Sequence, residues 1–388
     1  MQLHGTRAQS SPTIYSTVIS SYLAQNADCA ESSQNITRSA ATAPNARPTP
    51  QFNVVRSHGS DRIRSTYWLP YVGLRSNRTV RTVTKYLYPE ALADKSFDNT
   101  GLLLEAPYRP DNKLGKSALL TIDLTKAVAD EAIEGKHSII VSYHPIIFRP
   151  LKALTLANMQ QNSLLRLASE GISVYSPHTA VDAAPGGLND WLADIVTGSS
   201  PKAKSPKFEP HTRKIINPVP SLQDLPESFS SSGYGRIVTF SNPQTLGVLV
   251  ERITMGLSTR QTDDTQHGAS VSVATPQRFN SGQKSKIQIE TVGICAGSGG
   301  SMLNGLDVDL LFTGELSHHE ALAAIEAGRC VVTAFHSNSE RAFLEQIMQP
   351  ALQQMVAEEL GGDDNVFIDV SECDRDPYQV VTGDMDKW

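Results

Sequence analysis

From about residue 85 onward, short β-branched apolar runs alternate with stretches whose apolar residues recur at helical spacing. Ile139, Ile140 and Val141 predict a strand buried on both faces, and the polarity changes abruptly at Tyr143 and His144. Upstream, Leu102 to Glu105 and Ser117 to Asp123 read as strands, with Asp98-Asn99-Thr100-Gly101 as the turn into the first. Leu87 to Leu92 reads as a short helix. Thr125 is placed to cap a helix whose Val128, Ala129, Ala132 and Ile133 share one face, and Gly135 stands where it stops. Strand, helix and strand at this length make a parallel βαβ unit. A helix from Met159 to Ser169, ended by Gly171, then leads to a strand at Ile172 to Tyr175.

The pattern resumes after Gly233-Tyr234-Gly235-Arg236 with a strand at Ile237 to Phe240 and a helix at Leu246 to Met255. Val271 to Ala274 fits an edge strand, and Thr275 to Lys286 a surface loop. Ile287 to Cys295 predicts a buried strand running into Ala296-Gly297-Ser298-Gly299-Gly300. Strands follow at Val308 to Thr313 and Cys330 to Ala334, with a helix bearing His318, His319 and Glu320 between them. The expected fold is α/β and two-lobed, with parallel or mixed sheets and helices packed on them. Its lobes span 85–200 and 233–388, and a Pro-, Ser- and Lys-rich connection spans 201–232.

Composition narrows this picture. A chain of 388 residues with 39% hydrophobic content can bury a sizeable core, and its net charge of −6 leaves no electrostatic footprint for nucleic acid. No apolar run is long enough to span a bilayer, so no membrane partner is expected. Cys29, Cys295, Cys330 and Cys373 lie far apart, which fits a reducing compartment and an intracellular, soluble protein. Residues 1–84 are rich in Ser, Thr, Asn and Arg, with Asp28, Glu31 and Asp61 as their only acids. That segment reads as a disordered or targeting extension. An organelle transit peptide, a plain tail and a misplaced start remain alternatives, and the expected location is mitochondrial or cytoplasmic.

Candidate chemistry gathers at strand ends. Three buried strands deliver His144, His178 and His336 at their carboxyl ends, and Asp182 and Glu340 follow the last two four residues on. Ligands collect at that edge of α/β sheets, and imidazole is the commonest metal ligand. Imidazoles with carboxylates suit zinc, iron, manganese or cobalt, one or two ions per chain. Two ions bridged by a carboxylate activate water and clamp a phosphoryl or carbonyl oxygen, which is hydrolytic chemistry. Structural alternatives stand beside each residue. Ser337 and Glu340 fit a capping box, Asp182 a turn, and His178 a capped carbonyl. Gly297, Ser298, Gly299 and Gly300 fit either a tight turn or an anion-binding nest.

Seven motifs in order resemble one known family: Asp98-Asn99-Thr100-Gly101-Leu102, Tyr143-His144-Pro145, His178-Thr179-Ala180-Val181-Asp182, Gly233-Tyr234-Gly235-Arg236, Ala296-Gly297-Ser298-Gly299-Gly300, Gly314-Glu315-Leu316-Ser317-His318-His319-Glu320 and His336-Ser337-Asn338-Ser339-Glu340. They are similar to the series of the Nif-three-like family, also catalogued as GTP cyclohydrolase I type 2-like proteins, and Ser371 to Pro377 resembles the tail of its eukaryotic members. The resemblance implies a dinuclear metal site between two lobes and a homo-oligomer, from dimer to hexamer. By position, His144, Asp182 and Glu340 would hold one metal, and Glu340 and His336 the second. Bacterial members have His-His-Pro where this chain has Tyr143-His144-Pro145, so a second ion is expected to be labile. Tyr143 would ligate it as a phenolate, poorly for zinc because a phenol titrates near 10.

Two functional expectations follow. In the first, the chain is a metal-dependent hydrolase of a small phosphate-bearing or nucleotide-like substrate. Glu340 then bridges, His178 or Glu315 assists proton transfer, and the loop from Gly297 to Gly300 holds an anion. In the second, it is a non-enzymatic adaptor that binds a transcriptional regulator, as the family's name suggests, with a structural or stored metal.

Overall fold

Ile139, Ile140 and Val141 are buried to 1% exposure or less, and each such side chain contributes about 1.5–3 kcal/mol relative to an exposed one. They lie in strand β3 (Ile139–Ser142) of a computed structural model that describes residues 72–107, 113–199, 209–260, 269–360 and 366–380. β1 (Gly101–Leu104), β2 (Ser117–Thr121), β4 (Ser173–Ser176) and β11 (Phe367–Val370) complete its sheet in the order β1-β4-β3-β2-β11. β2, β3, β4 and β11 run parallel, and β1 is antiparallel to β4. The helix Lys126–Glu134 joins β2 to β3, with Thr125 accepting a hydrogen bond from the Val128 amide as its cap. The helix Met159–Glu170 joins β3 to β4 and ends at Gly171, whose φ of 80° needs no Cβ penalty.

The second sheet has the order β5-β6-β8-β9-β10-β7. Its strands are β5 (His211–Pro218), β6 (Gly233–Thr245), β7 (Ser272–Ala274), β8 (Gln288–Ser298), β9 (Leu310–Glu315) and β10 (Cys330–Thr333). β8, β9 and β10 are parallel, whereas β5, β6 and β7 pair antiparallel at the two sides. The expected edge strand near Val271 to Ala274 is β7, three residues long, at the sheet's border. The mixed α/β architecture is therefore as expected.

Four elements differ from the sequence reading. A helix occupies Val72–Leu87, inside the stretch read as an extension, and residues 1–71 with the import question lie outside the described residues. β5 lies within the stretch read as a connection, because its Arg213, Lys214 and Pro218 disguise an edge strand. The helix Gln349–Glu359 follows a π-helical turn at Leu344–Met348. Finally, β11 carries the end of the chain back to pair with β2 in the first sheet. Among the described residues, no helix is long and apolar enough to cross a membrane, and Cys295, Cys330 and Cys373 are free thiols.

Candidate metal centre

The ends of parallel strands from both sheets converge. The His144 amide continues the β2–β3 ladder by donating to the Ile122 carbonyl at 3.0 Å, so the residues following both strands stand side by side. Asp123 and His144 accordingly meet, with Nδ1 and Oδ1 3.0 Å apart. His178 Nδ1 lies 2.6 Å from Asp98 Oδ1, and His336 Nδ1 lies 2.9 Å from Glu315 Oε1. A carboxylate oxygen only accepts, so each Nδ1 carries the proton, and in the neutral ring Nε2 is left with its lone pair. Carboxylates that fix imidazoles in this way are the usual outer partners of metal-binding histidines.

Two of those lone pairs face one carboxylate. His144 Nε2 is 3.5 Å from Glu340 Oε2, and His336 Nε2 is 3.6 Å from Glu340 Oε1. One donor atom from each of His144, His336 and Glu340 falls within 4.8 Å of the others. Glu340 is 2% exposed, and its Oε2 has no hydrogen-bond partner. Burial, with Asp182 and Asp123 adding repulsion, pushes its carboxyl well above the usual range, and Arg341 offsets this only in part. Burial also pushes Asp182 up to about 6. By contrast, burial raises Asp98 and Asp123, but their imidazole partners, together with Thr179 at Asp98 and Arg341 at Asp123, more than reverse it and hold both below the usual carboxylate range. An uncompensated buried carboxylate flanked by two imidazole lone pairs fits a divalent cation.

The backbone around the cluster is shaped for it. Gly297 has φ +60°, and a Cβ there would come 2.8 Å from Glu340 Oε1 and 3.0 Å from His336 Nε2. His178 and Phe335 adopt φ of 35° and 64°, unusual for residues with side chains. Strain of this kind costs on the order of 1–3 kcal/mol per residue and persists only where the surroundings impose it. Asn189 ties the two sheets together, donating to the Asp182 carbonyl at 3.1 Å and accepting from the Ala296 amide at 3.0 Å.

Asp182 and Tyr143 stand beside the three-residue cluster rather than in it. Tyr143 donates its hydroxyl to Asp182 Oδ1 at 2.7 Å, and burial together with Asp182 and Glu340 pushes the phenol well above its ordinary value. Tyr143 thus acts here as a hydrogen-bond donor to Asp182. Glu315 orients His336, whereas Glu340 forms no capping box: the Ser337 hydroxyl makes no cap bond, and the capping box of this region is Ser317 with Glu320. The glycine loop spends amides that a nest would need, since Gly297 N–H donates to Ser339 Oγ at 2.9 Å and Gly299 N–H to the Glu315 carbonyl at 3.3 Å. Asp98 and Asp123 escaped notice as imidazole partners. Their signal was the same as the histidines', a polar residue at a turn or strand end.

A cavity of about 990 Å³ opens over the cluster, lined by His144, His178, Asp182, Glu340, Phe97 and Phe148 among others. Phe148 and Phe97 are exposed, with ring centroids 6.3 Å apart, and Phe148 lies 6.4 Å from the His178 ring.

Fold and site together define an α/β protein whose strand ends gather a two-histidine, one-glutamate donor set beneath a cavity with an aromatic rim. The family described as Duf34/NIF3 (NGG1p interacting factor 3) matches residues 76–377, and the chain belongs to it. It is 46% identical to "Protein NIF3 homolog" of Schizosaccharomyces pombe over 78% of this chain and 97% of that protein. It is 37% identical to "NGG1-interacting factor 3" of Saccharomyces cerevisiae over 79% of this chain and 96% of the relative. Among solved structures, a Bacillus cereus protein related to NIF3 shares the fold with a TM-score of 0.57 at 20% identity, covering 79% of this chain and 99% of that one.

Proposed function

We propose that His144, His336 and Glu340 hold a divalent transition metal, and that the chain is a metal-dependent hydrolase of a small phosphate-bearing or nucleotide-like substrate. The observation that carries this reading is Glu340 Oε2, buried and without a hydrogen-bond partner between two imidazole lone pairs. A bound divalent ion supplies Lewis acidity toward a phosphoryl or carbonyl oxygen and makes water nucleophilic at neutral pH. Asp182, fixed by the Tyr143 hydroxyl, offers a carboxylate to a second and weaker ion. His178 is held by Asp98 with Nε2 free, and takes or returns a proton at the substrate. Glu315 keeps His336 in place. Phe97 and Phe148 give the cavity rim an apolar surface for a planar ring, while the cluster faces the phosphate. The amides of Ser298 and Gly300 add to phosphate binding only as supplementary donors in this account.

The test combines elemental analysis with turnover. Wild type purified without chelator is expected to carry one to two equivalents of zinc, iron, manganese or cobalt. His144→Ala and His336→Ala should lose metal while staying folded, and a phosphoesterase and nucleotide screen should then give activity that falls in both. A wild type that stays metal-free after reconstitution would sink the reading.

A second reading has its own support. The Saccharomyces cerevisiae relative carries a name that declares an interacting protein partner. On that reading the chain is an adaptor for a transcriptional regulator, its metal is structural, and Glu340→Gln leaves partner binding intact. Assembly as a homo-oligomer accompanies either reading, and sedimentation measures it.

A further inference from the structure

The last described segment of the chain makes polar contacts that nothing in the hydrolase scheme uses. After β11, Ser371 donates its amide to the Leu120 carbonyl at 2.9 Å, and its hydroxyl bonds to Glu131. Glu372 also donates its amide to Glu131, at 2.8 Å. These bonds anchor the tail to the first sheet. The chain then places Asp374, 3% exposed, against Ile122 and Arg341, residues next to Asp123 and Glu340. Asp374 Oδ2 accepts the Ile122 amide at 2.8 Å, and Ile122 precedes Asp123, the partner of His144. The same oxygen pairs with Arg341, which follows Glu340.

Two residues further on, Asp376 Oδ2 accepts the Ser337 hydroxyl at 2.8 Å, and Ser337 in turn accepts from Arg341 Nη2 at 2.7 Å. Ser337 follows His336 directly and is 2% exposed. A run of mostly charged contacts thus links the tail to Ile122, beside the His144 partner Asp123, and to Ser337 and Arg341, beside His336 and Glu340, while Asp374 Oδ1 and Arg341 Nε make no hydrogen bond. Charged hydrogen bonds are roughly twice as strong as neutral ones and are directional. Arg341 gains a further role, since it is the cation that offsets the Glu340 carboxylate.

We infer that the tail from Ser371 to Asp376 is a positioning clamp, in which Asp374 and Asp376 hold the His144 and His336–Glu340 halves of the site at ligand spacing. Neither aspartate is a catalytic residue, because both act through Ile122, Arg341 and Ser337. The inference rests on the reading of the cluster as a metal centre. Outer partners of this kind typically change metal affinity by about 10–100-fold when mutated.

Cobalt(II) titration of the purified full chain tests it, using Asp374→Asn, Asp376→Asn and a chain ending at Val370. Asp374→Asn keeps the shape and the acceptor for Ile122 while removing the charge opposite Arg341. The expected result is a cobalt dissociation constant raised about tenfold or more and an altered cobalt absorption spectrum in a protein that still folds, with a lowered urea midpoint because buried Arg341 loses its carboxylate partner. In the metal-free protein, the imidazole NMR signals of His144 and His336 should shift, and that of His211 should not. Asp376→Asn should show a smaller change of the same kind if Asp374→Asn folds poorly. Unchanged affinity and unchanged imidazole signals in both substitutions overturn the clamp. If wild type binds no cobalt, the metal reading fails by itself, and the imidazole signals alone then uphold or overturn the coupling.

Discussion

Asp190 and Glu340 are both buried carboxylates, 6% and 2% exposed, yet the fold treats them oppositely. Burial pushes Asp190 up, but Arg236 donates to both its oxygens at 2.8 and 2.9 Å, and Arg213 adds a third contact at 3.1 Å. The Gly186 amide completes the shell at 2.9 Å, so the carboxyl stays below its usual range. Glu340 has two imidazoles at 3.5 and 3.6 Å, other acids nearby, and an oxygen with no hydrogen-bond partner. Where a carboxylate serves only to join β6 to the helix Leu188–Thr197, the chain supplies its own cations. At Glu340 the chain's own cation, Arg341, offsets burial only in part and two imidazole nitrogens face the carboxyl, a donor set that a cation from outside would complete.

Removing the internal compensation should give the largest effect. Arg236→Met leaves Asp190 buried and unpaired, and should cost about 3–5 kcal/mol in urea unfolding. Glu340→Gln should do the reverse at the other region. Glutamine matches the neutral carboxyl that burial favours, so the metal-free protein should be at least as stable as wild type, while metal content in elemental analysis should fall to about a tenth of the wild-type value or less. Gly297→Ala forces a Cβ into the cluster at a left-handed φ, and should cost about 1–3 kcal/mol along with most of the bound metal. Asp98→Asn should spare metal content but lower turnover, because His178 would lose the carboxylate that sets its tautomer.

The smallest effect sharpens the comparison through pH. The folded value of Asp190 lies below the unfolded value near 3.9, so its contribution is complete above that value and disappears as pH falls through the lower folded one. Urea unfolding of the metal-free protein should therefore weaken from about pH 5 to pH 3, with a shallower slope in Asp190→Asn.

The clustered histidines are legible because each ends an apolar run, and Glu340 because it falls one helical turn after His336. What the sequence did not disclose is long-range pairing. His178 finds Asp98 80 residues away, and Asp374 finds Ile122 252 residues away, and no local pattern encodes either contact. β5 and β11 were hidden for the same reason, being edge strands whose burial patterns are irregular. The glycine loop illustrates the same point: its composition suits an anion nest, while the partners of the Gly297 and Gly299 amides, Ser339 and Glu315, lie far along the chain. The parallel core of each sheet was legible from buried β-branched runs; which chain segments border it was not.

The most direct test of the account is urea unfolding of wild type and Glu340→Gln at increasing zinc concentration. An ion that binds only the folded state adds about 2.7 kcal/mol at a hundred times its dissociation constant. Wild type should gain stability on that curve, and Glu340→Gln should gain none. Equal gains in the two proteins, or no gain in wild type, would contradict the claim that this carboxylate is kept uncompensated for a metal.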